Sequence, residues 1–282
     1  MTQPLFSILI AQYNNGKYFR DCFDSIIAQT YDNWEVVIVD DGSTDDSVAV
    51  MKNMIGEDPR FKLEFNEKNE GCGFTKRRCT ELAAGEICAF LDPDDAITKE
   101  ALNVMVDEHA KYPEAAAIYS RPYLCDEFLN IEHEVKSEQV TNGDPYFFDL
   151  EGKLFAFLSY KKSVYDKTFG ISSDLKRAVD RDLVLKLYEV GPCLYVDKPL
   201  YKYRIHDRGI STTQNEDKAY YWLWVTIIDA ARRRNVNIEN LFIDKALTGR
   251  KQMALQKEID GYNTSVIFKM LRKLGLFKTL KR

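Results

Sequence analysis

The chain has 282 residues, with 39 Lys and Arg against 44 Asp and Glu and a formal net charge of -5. Its 45% hydrophobic and 29% charged content is ordinary for a soluble globular protein, and the acidic balance excludes a general nucleic-acid binder, which would be basic. Six scattered cysteines with no C-x-x-C pair give neither a disulfide framework nor a zinc site.

The first apolar run, Leu5 to Ala11, is too short for a signal peptide and far too short for a membrane span. A reduced, cytoplasmic protein is the expectation. Phe6–Ile10 reads as a strand, followed by a helix over 18–29 with Phe19, Cys22, Phe23, Ile26 and Ile27 at helical spacing. Trp34–Val39 is the next strand, and Ser43 to Ser47 supplies cap residues for a helix through Met54. A short strand at 62–65, a helix at 75–84, a strand at 87–91, a helix at 99–111 and a strand at 115–119 follow. Such alternation predicts an α/β fold, a mostly parallel sheet flanked by helices. From Pro122 to Tyr146 the pattern weakens into loops with one hairpin. A helix near 182–190 ends at Gly191-Pro192, an extended stretch runs from Leu194 to His206, and the chain beyond about 216 is helical.

Two aspartate clusters end separate strands: Asp40-Asp41-Gly42-Ser43 and Asp92-Pro93-Asp94-Asp95. In a parallel α/β sheet both open onto the crevice at the carboxyl ends of the strands, where ligands bind. Three carboxylates in four positions repel one another and call for a hard cation. The plainer alternative is a turn, with Asp95 capping the next helix. Neither a G-x-G-x-x-G nor a G-x-x-x-x-G-K-[ST] fingerprint is present, which argues against a dinucleotide-binding dehydrogenase or a P-loop ATPase, and Gly71-Cys72-Gly73 before a helix is a weak signal.

These residues together resemble the inverting family 2 glycosyltransferases, which have the GT-A fold. The resemblance rests on Ile10-Ala11-Gln12-Tyr13-Asn14, on Gln29-Thr30-Tyr31 followed by Trp34 to Ser43, on Asn69-Glu70-Gly71 through Ile87, and on Phe90-Leu91-Asp92-Pro93-Asp94-Asp95. It is close over residues 4–120 and looser over 150–211. It implies a nucleoside diphosphate sugar donor, UDP by family habit, and a divalent metal, Mn²⁺ or Mg²⁺. It also implies that Ala11 and Tyr13 line the donor site with Tyr13 stacking near the base, that Asp41 hydrogen-bonds the base and that Asp92 contacts the ribose. Asp94 would coordinate the metal, and Asp95 would support that metal or face the acceptor. The family's Ala-Arg-Asn is replaced here by Thr75-Lys76-Arg77, so the basic contact to the nucleotide falls to Lys76 or Arg77. Tyr203-Arg204-Ile205-His206, with Ser211 after it, resembles a family segment in which Arg204 would hold the diphosphate and His206 would add a metal ligand.

An inverting transfer needs a base for the acceptor hydroxyl. The family places an Asp for it, usually after a Glu, at the start of a later helix, and the matching pair here is Val179-Asp180. At about 100° per residue Asp180 shares a stripe with Leu183, Val184 and Leu187, while Asp182 points nearly the opposite way, toward solvent. Asp180 is therefore the expected base, with a helix cap as the plainer alternative.

The expected domain layout is a nucleotide-sugar-binding α/β region over 1–120, an acceptor-side region over 121–215 and a helical extension over 216–282. The expected activity is a metal-dependent transfer of one sugar to a hydroxyl of a glycan or glycolipid acceptor in surface polysaccharide biosynthesis. The rivals are a nucleotidyltransferase, which would need a Gly-rich basic loop that Ala11 to Lys17 lacks, and a non-catalytic sugar-nucleotide or glycan-binding protein on the same fold. In the tail, apolar residues at 266, 267, 270, 271 and 274 form a stripe beside Lys269, Arg272 and Lys273. Such a basic amphipathic helix either lies on the inner face of a membrane or, more commonly, packs on its own domain.

Overall fold

The structure, a computed structural model, describes residues 3–206, 216–265, 269–270 and 273. Ser211 lies outside them, and so does the reading of the basic tail, of which residues 269, 270 and 273 alone are described. The chain divides into two compact units, Met1–Arg234 and Asn235–Arg282.

The first unit follows the predicted alternation: β1 (Phe6–Gln12), α1 (Phe19–Ile27), β2 (Trp34–Asp40), α2 (Ser47–Ile55), β3 (Phe61–Phe65), α3 (Cys72–Leu82), β4 (Ile87–Phe90), the two-residue β5 (Ala96–Ile97) and α4 (Ala101–Lys111). It continues with β6 (Ala117–Cys125), β7 (Ile131–Glu134), β8 (Phe155–Lys161), α5 (Lys162–Tyr165), α6 (Val179–Val190), β9 (Cys193–Arg204) and α7 (Glu216–Arg234). The second unit carries α8 (Glu239–Leu241), a π-helical stretch at Phe242–Thr248 and α9 (Gly249–Thr264). Among the described residues no helix is long and apolar enough to cross a membrane.

One sheet runs in the order β3-β2-β1-β4-β8-β6-β9-β5, with β7 paired to β6. The four strands from β3 to β4 are parallel, as the β-α-β pattern requires. Beyond β4 the sheet is mixed: β8 is antiparallel to both β4 and β6, β5 is antiparallel to β9, and β6 with β9 is parallel. The strand read at 115–119 extends instead to Cys125 through Pro122, and with β7 it forms the hairpin expected in the weakly patterned stretch.

Alternate residues of β1 and β2 feed two cores. Phe6, Ile8, Ile10, Val36 and Ile38 pack with α1, α2 and α4 on one face, and Leu9, Val37 and Val39 pack toward α3 and α6 on the other. The six cysteines are free, and all but Cys72 are buried.

On α4, His109 is 3% exposed; its Nε2 lies 3.1 Å from Ser159 Oγ and its Nδ1 has no partner. Burial, reinforced by the Lys161 charge, lowers its pKa from 6.5 to about 3. The unfolded chain therefore binds a proton that the native chain refuses, and stability falls as pH drops below 6.5 toward 3. Between about pH 7.5 and about pH 5 urea unfolding should show roughly 2 kcal/mol more loss for the native sequence than for His109→Asn. Equal losses in the two proteins would remove His109 as the cause.

Candidate functional site

Asp92 to Asp95 form a turn in which the Asp95 N–H donates to the Asp92 carbonyl at 3.0 Å. The Tyr201 hydroxyl from β9 receives the Asp92 N–H at 3.2 Å and donates to Asp95 Oδ2 at 2.8 Å. The Arg204 N–H donates to Asp95 Oδ1 at 2.8 Å. Asp95 is only 2% exposed with both oxygens engaged, so it braces β9 against the turn and cannot face an acceptor. Burial, with the Asp94 and Asp92 charges, pushes its carboxyl well above the usual range. The turn leaves Asp92 and Asp94 open, with side chains 41% and 19% exposed.

Lys76, on α3, enters from the opposite wall. Its Nζ lies 2.6 Å from Asp180 Oδ1 and 3.1 Å from Asp92 Oδ1, and its side chain is 5% exposed. Burial opposes its charge, but Asp180 and Asp92 outweigh burial and hold it protonated. Asp92 is raised by the desolvation of the recess and by Asp180 and Asp94, against the pull of Lys76. Two backbone features bring α3 and α6 together. A Cβ on Gly73 would sit 2.4 Å from the Ser172 carbonyl, so only glycine allows α3 to approach the 172–175 loop. Ala178, immediately before α6, holds φ at 56°, a left-handed conformation that is costly for alanine and that aims the first turn of the helix. The Gly71-Cys72-Gly73 segment thus serves packing.

The structure reverses the expected orientations on α6. Asp180 is 71% exposed in the crevice, whereas Asp182 is 2% exposed and buried. The helix is covered on more than one side: Val179 and residues 182–188 are all buried, and the first turn looks into open space at Asp180. Asp182 Oδ2 accepts from the Ser172 N–H at 2.8 Å and from Lys186 Nζ at 2.7 Å. Asp180 heads the stripe of Leu183, Val184 and Leu187, which is buried as expected, but its own carboxylate is exposed at the crevice.

Two other expected contacts do not fit this geometry, and a third residue has a second task. The Arg204 side chain is 2% exposed and cannot reach a diphosphate. Its guanidinium donates to the Asp94 and Glu127 carbonyls and to Asp21 Oδ2, and it stacks over Tyr18. Arg77 is turned away, pairing with Glu81 at 2.9 Å and lining an outer pocket with Phe74 and Arg78. Asp41, 4% exposed, accepts from Asn66 Nδ2 and from the Glu70 and Gly71 N–H groups at 2.7–2.9 Å, so it first organises the 66–71 loop. Three donors leave roughly one lone-pair site for a base. Ala11 packs against the second core, and the Tyr13 ring is 46% exposed at the end of β1.

His206 Nε2 and Asp94 Oδ2 are 2.8 Å apart, and the imidazole packs against the Tyr18 ring at 4.6 Å between centroids, tilted by 46°. Among the described residues no three potential metal ligands converge. Imidazole with carboxylate nevertheless suits Mn²⁺ as a donor pair, and cations on nucleotide diphosphates complete their shell with water and phosphate oxygens. The pair therefore fits a divalent ion. Sequence reasoning missed Tyr18, Tyr201 and Asp21. Asp21 sits on α1 among helix-patterned residues, and its partner Arg204 is 183 positions away, so no local signal pointed to it.

The model of the family described as glycosyl transferase family 2 matches residues 7–169. The chain is 32% identical over 227 residues to glycosyltransferase GlyG of Streptococcus pneumoniae serotype 4, covering 74% of each protein. It is 31% identical over 214 residues to chondroitin synthase of Escherichia coli, covering 74% of this chain but only 30% of the length of that synthase. Among solved structures, S. aureus TarS 1-349 in complex with UDP-GlcNAc superposes with a TM-score of 0.63 at 22% identity, covering 79% of this chain and 66% of that one. Mannosyltransferase PcManGT from Pyrobaculum calidifontis, in complex with GDP-Man and Mn²⁺, gives 0.57 at 16% identity, covering 98% and 88%.

Proposed function

The chain belongs to glycosyl transferase family 2 and has the GT-A fold, and from that premise we propose that it transfers one hexose from a UDP-sugar, with inversion, to a hydroxyl of a glycan acceptor in surface polysaccharide biosynthesis. The observation that carries this reading is the arrangement around Lys76. An exposed carboxylate, Asp180, stands across one ammonium from Asp92, on the turn that also presents Asp94. In the proposed reaction the acceptor oxygen attacks the anomeric carbon, Asp180 takes its proton, and the bond to the diphosphate breaks with its electron pair leaving on the nucleotide. Asp92 would receive the ribose hydroxyls, and Tyr13 would cover the base.

Asp94 and His206 would hold a divalent cation. Bound there, the ion would neutralise charge on the departing diphosphate. UDP as donor nucleotide is supported by the TarS complex, which contains UDP-GlcNAc. The expected test is a thermal shift: UDP should raise the melting temperature with Mn²⁺ present and much less without it. His206→Ala should abolish that dependence while UDP alone still binds weakly. A GDP response exceeding the UDP response, or a UDP response indifferent to Mn²⁺, would sink the corresponding half of the proposal.

A further inference from the structure

We propose that Lys76 is a positioning residue: its ammonium, shared between Asp180 and Asp92, keeps the base aimed at the acceptor while a second carboxylate stands beside it. This rests on the reading of Asp180 as base. Lys76 was first a candidate for gripping the nucleotide, but its geometry favours another task. At 2.6 Å and 3.1 Å it already binds two carboxylates, and at 5% exposure it has little freedom to swing to a third anion. Its Nζ also sits 5.0 Å from the centre of the Phe90 ring, a further attraction for the cation in that place.

Without that charge, two carboxylates would share one recess. Like charges in one recess repel one another. The exposed member, Asp180, would then turn away, and the acceptor hydroxyl would lose its aimed base. The groups facing Asp180 are Lys76 and Cys72 from α3, Asp92 from the end of β4, Arg181 from its own helix and Tyr203 from β9. Two are thiol and phenol groups whose pKa burial raises to about 12, so they stay neutral in the working range. Arg181 is engaged with Asp149 at 2.8 Å. Among the described residues Lys76 is a cation in direct contact with Asp180.

The test compares Lys76→Met and Lys76→Arg with the native chain, with Asp180→Asn measured in parallel. The readouts are kcat and KM for the donor, the melting temperature, and the affinity for UDP with Mn²⁺. For Lys76→Met kcat should fall roughly 10- to 100-fold with KM for the donor little changed. UDP affinity should stay within about threefold, and Lys76→Arg should recover most of the rate, since Arg keeps the charge. A large loss of UDP affinity would make Lys76 a nucleotide clamp and overturn the proposal. A loss of kcat with a lower melting temperature that Lys76→Arg does not recover would overturn it in favour of a structural role. If Asp180→Asn retains turnover, the base assignment itself falls and this proposal with it. If Asp180→Asn is dead and Lys76→Met turns over at the native rate, only this proposal falls.

Discussion

Asp180→Asn is expected to reduce kcat by about 10²–10⁴-fold, the usual contribution of a positioned base, while leaving UDP affinity close to native. Three observations set that size. The carboxylate is 71% exposed, so an acceptor hydroxyl can reach it. It is held by Lys76 at 2.6 Å, so its orientation is fixed before substrate arrives. The amide that replaces it keeps the shape and can still accept a hydrogen bond from Lys76, but it cannot accept a proton from an alcohol. The groups proposed to bind the donor, on the 92–95 turn, are left untouched, so KM for the donor should change little. Turnover within tenfold of native would remove Asp180 from the base role, and a collapse of UDP affinity would place it on the donor instead.

Asp182→Ala is expected to cost about 3–5 kcal/mol of stability, the range for breaking one partner of a buried ion pair. Lys186 and Asp182 are one turn apart with side chains 4% and 2% exposed. The ammonium also donates to the Gly170 carbonyl at 2.7 Å and to Ser172 Oγ at 2.8 Å. Removing the carboxylate leaves a charge among neutral acceptors and leaves the Ser172 N–H unpaired. Desolvation already lowers the Lys186 pKa against the pull of Asp182, so part of the loss will be relieved by deprotonation. For a unit of this size the loss amounts to a fall in melting temperature of roughly 10 °C. The double variant Asp182→Leu with Lys186→Met should recover most of it, because replacing a whole buried pair by apolar groups is nearly neutral. A single variant within about 1 kcal/mol of native would show that the pair is dispensable.

The first half of the sheet could be read from the chain because β1, β2 and β4 are short apolar runs, the last two leading into carboxylates, and burial on two faces leaves such runs little else to be. The second half was harder. The β6 strand passes through Pro122, normally a strand breaker, and β8 lies in a stretch given no strand beforehand. Its place between β4 and β6 depends on pairings about 40–75 positions away in sequence. Within the site, motif order singled out Asp92, Asp94, His206 and Asp180, and the structure joins Asp92 to Asp180 through Lys76 and Asp94 to His206. Their neighbours were not. Arg204 looked like a diphosphate ligand because periodicity gives the face of a strand but not what covers that face. Here α1, through Asp21 and Tyr18, closes over it. The helical wheel misassigned Asp180 and Asp182 for a related reason: it assumes one buried side, and α6 has several.

The distribution of the six thiols makes the folded unit its own clock. Five are buried, and Cys79, Cys88 and Cys193, pushed to about 12 by burial, carry almost no thiolate at neutral pH. A maleimide can therefore count openings of the fold through successive mass increments, strand by strand, without any engineered label. Cys72, one turn before Lys76 and likewise pushed to about 12 by burial, reports openings around the crevice. One reagent thus times the breathing of the sheet and the shielding of the site in the same sample.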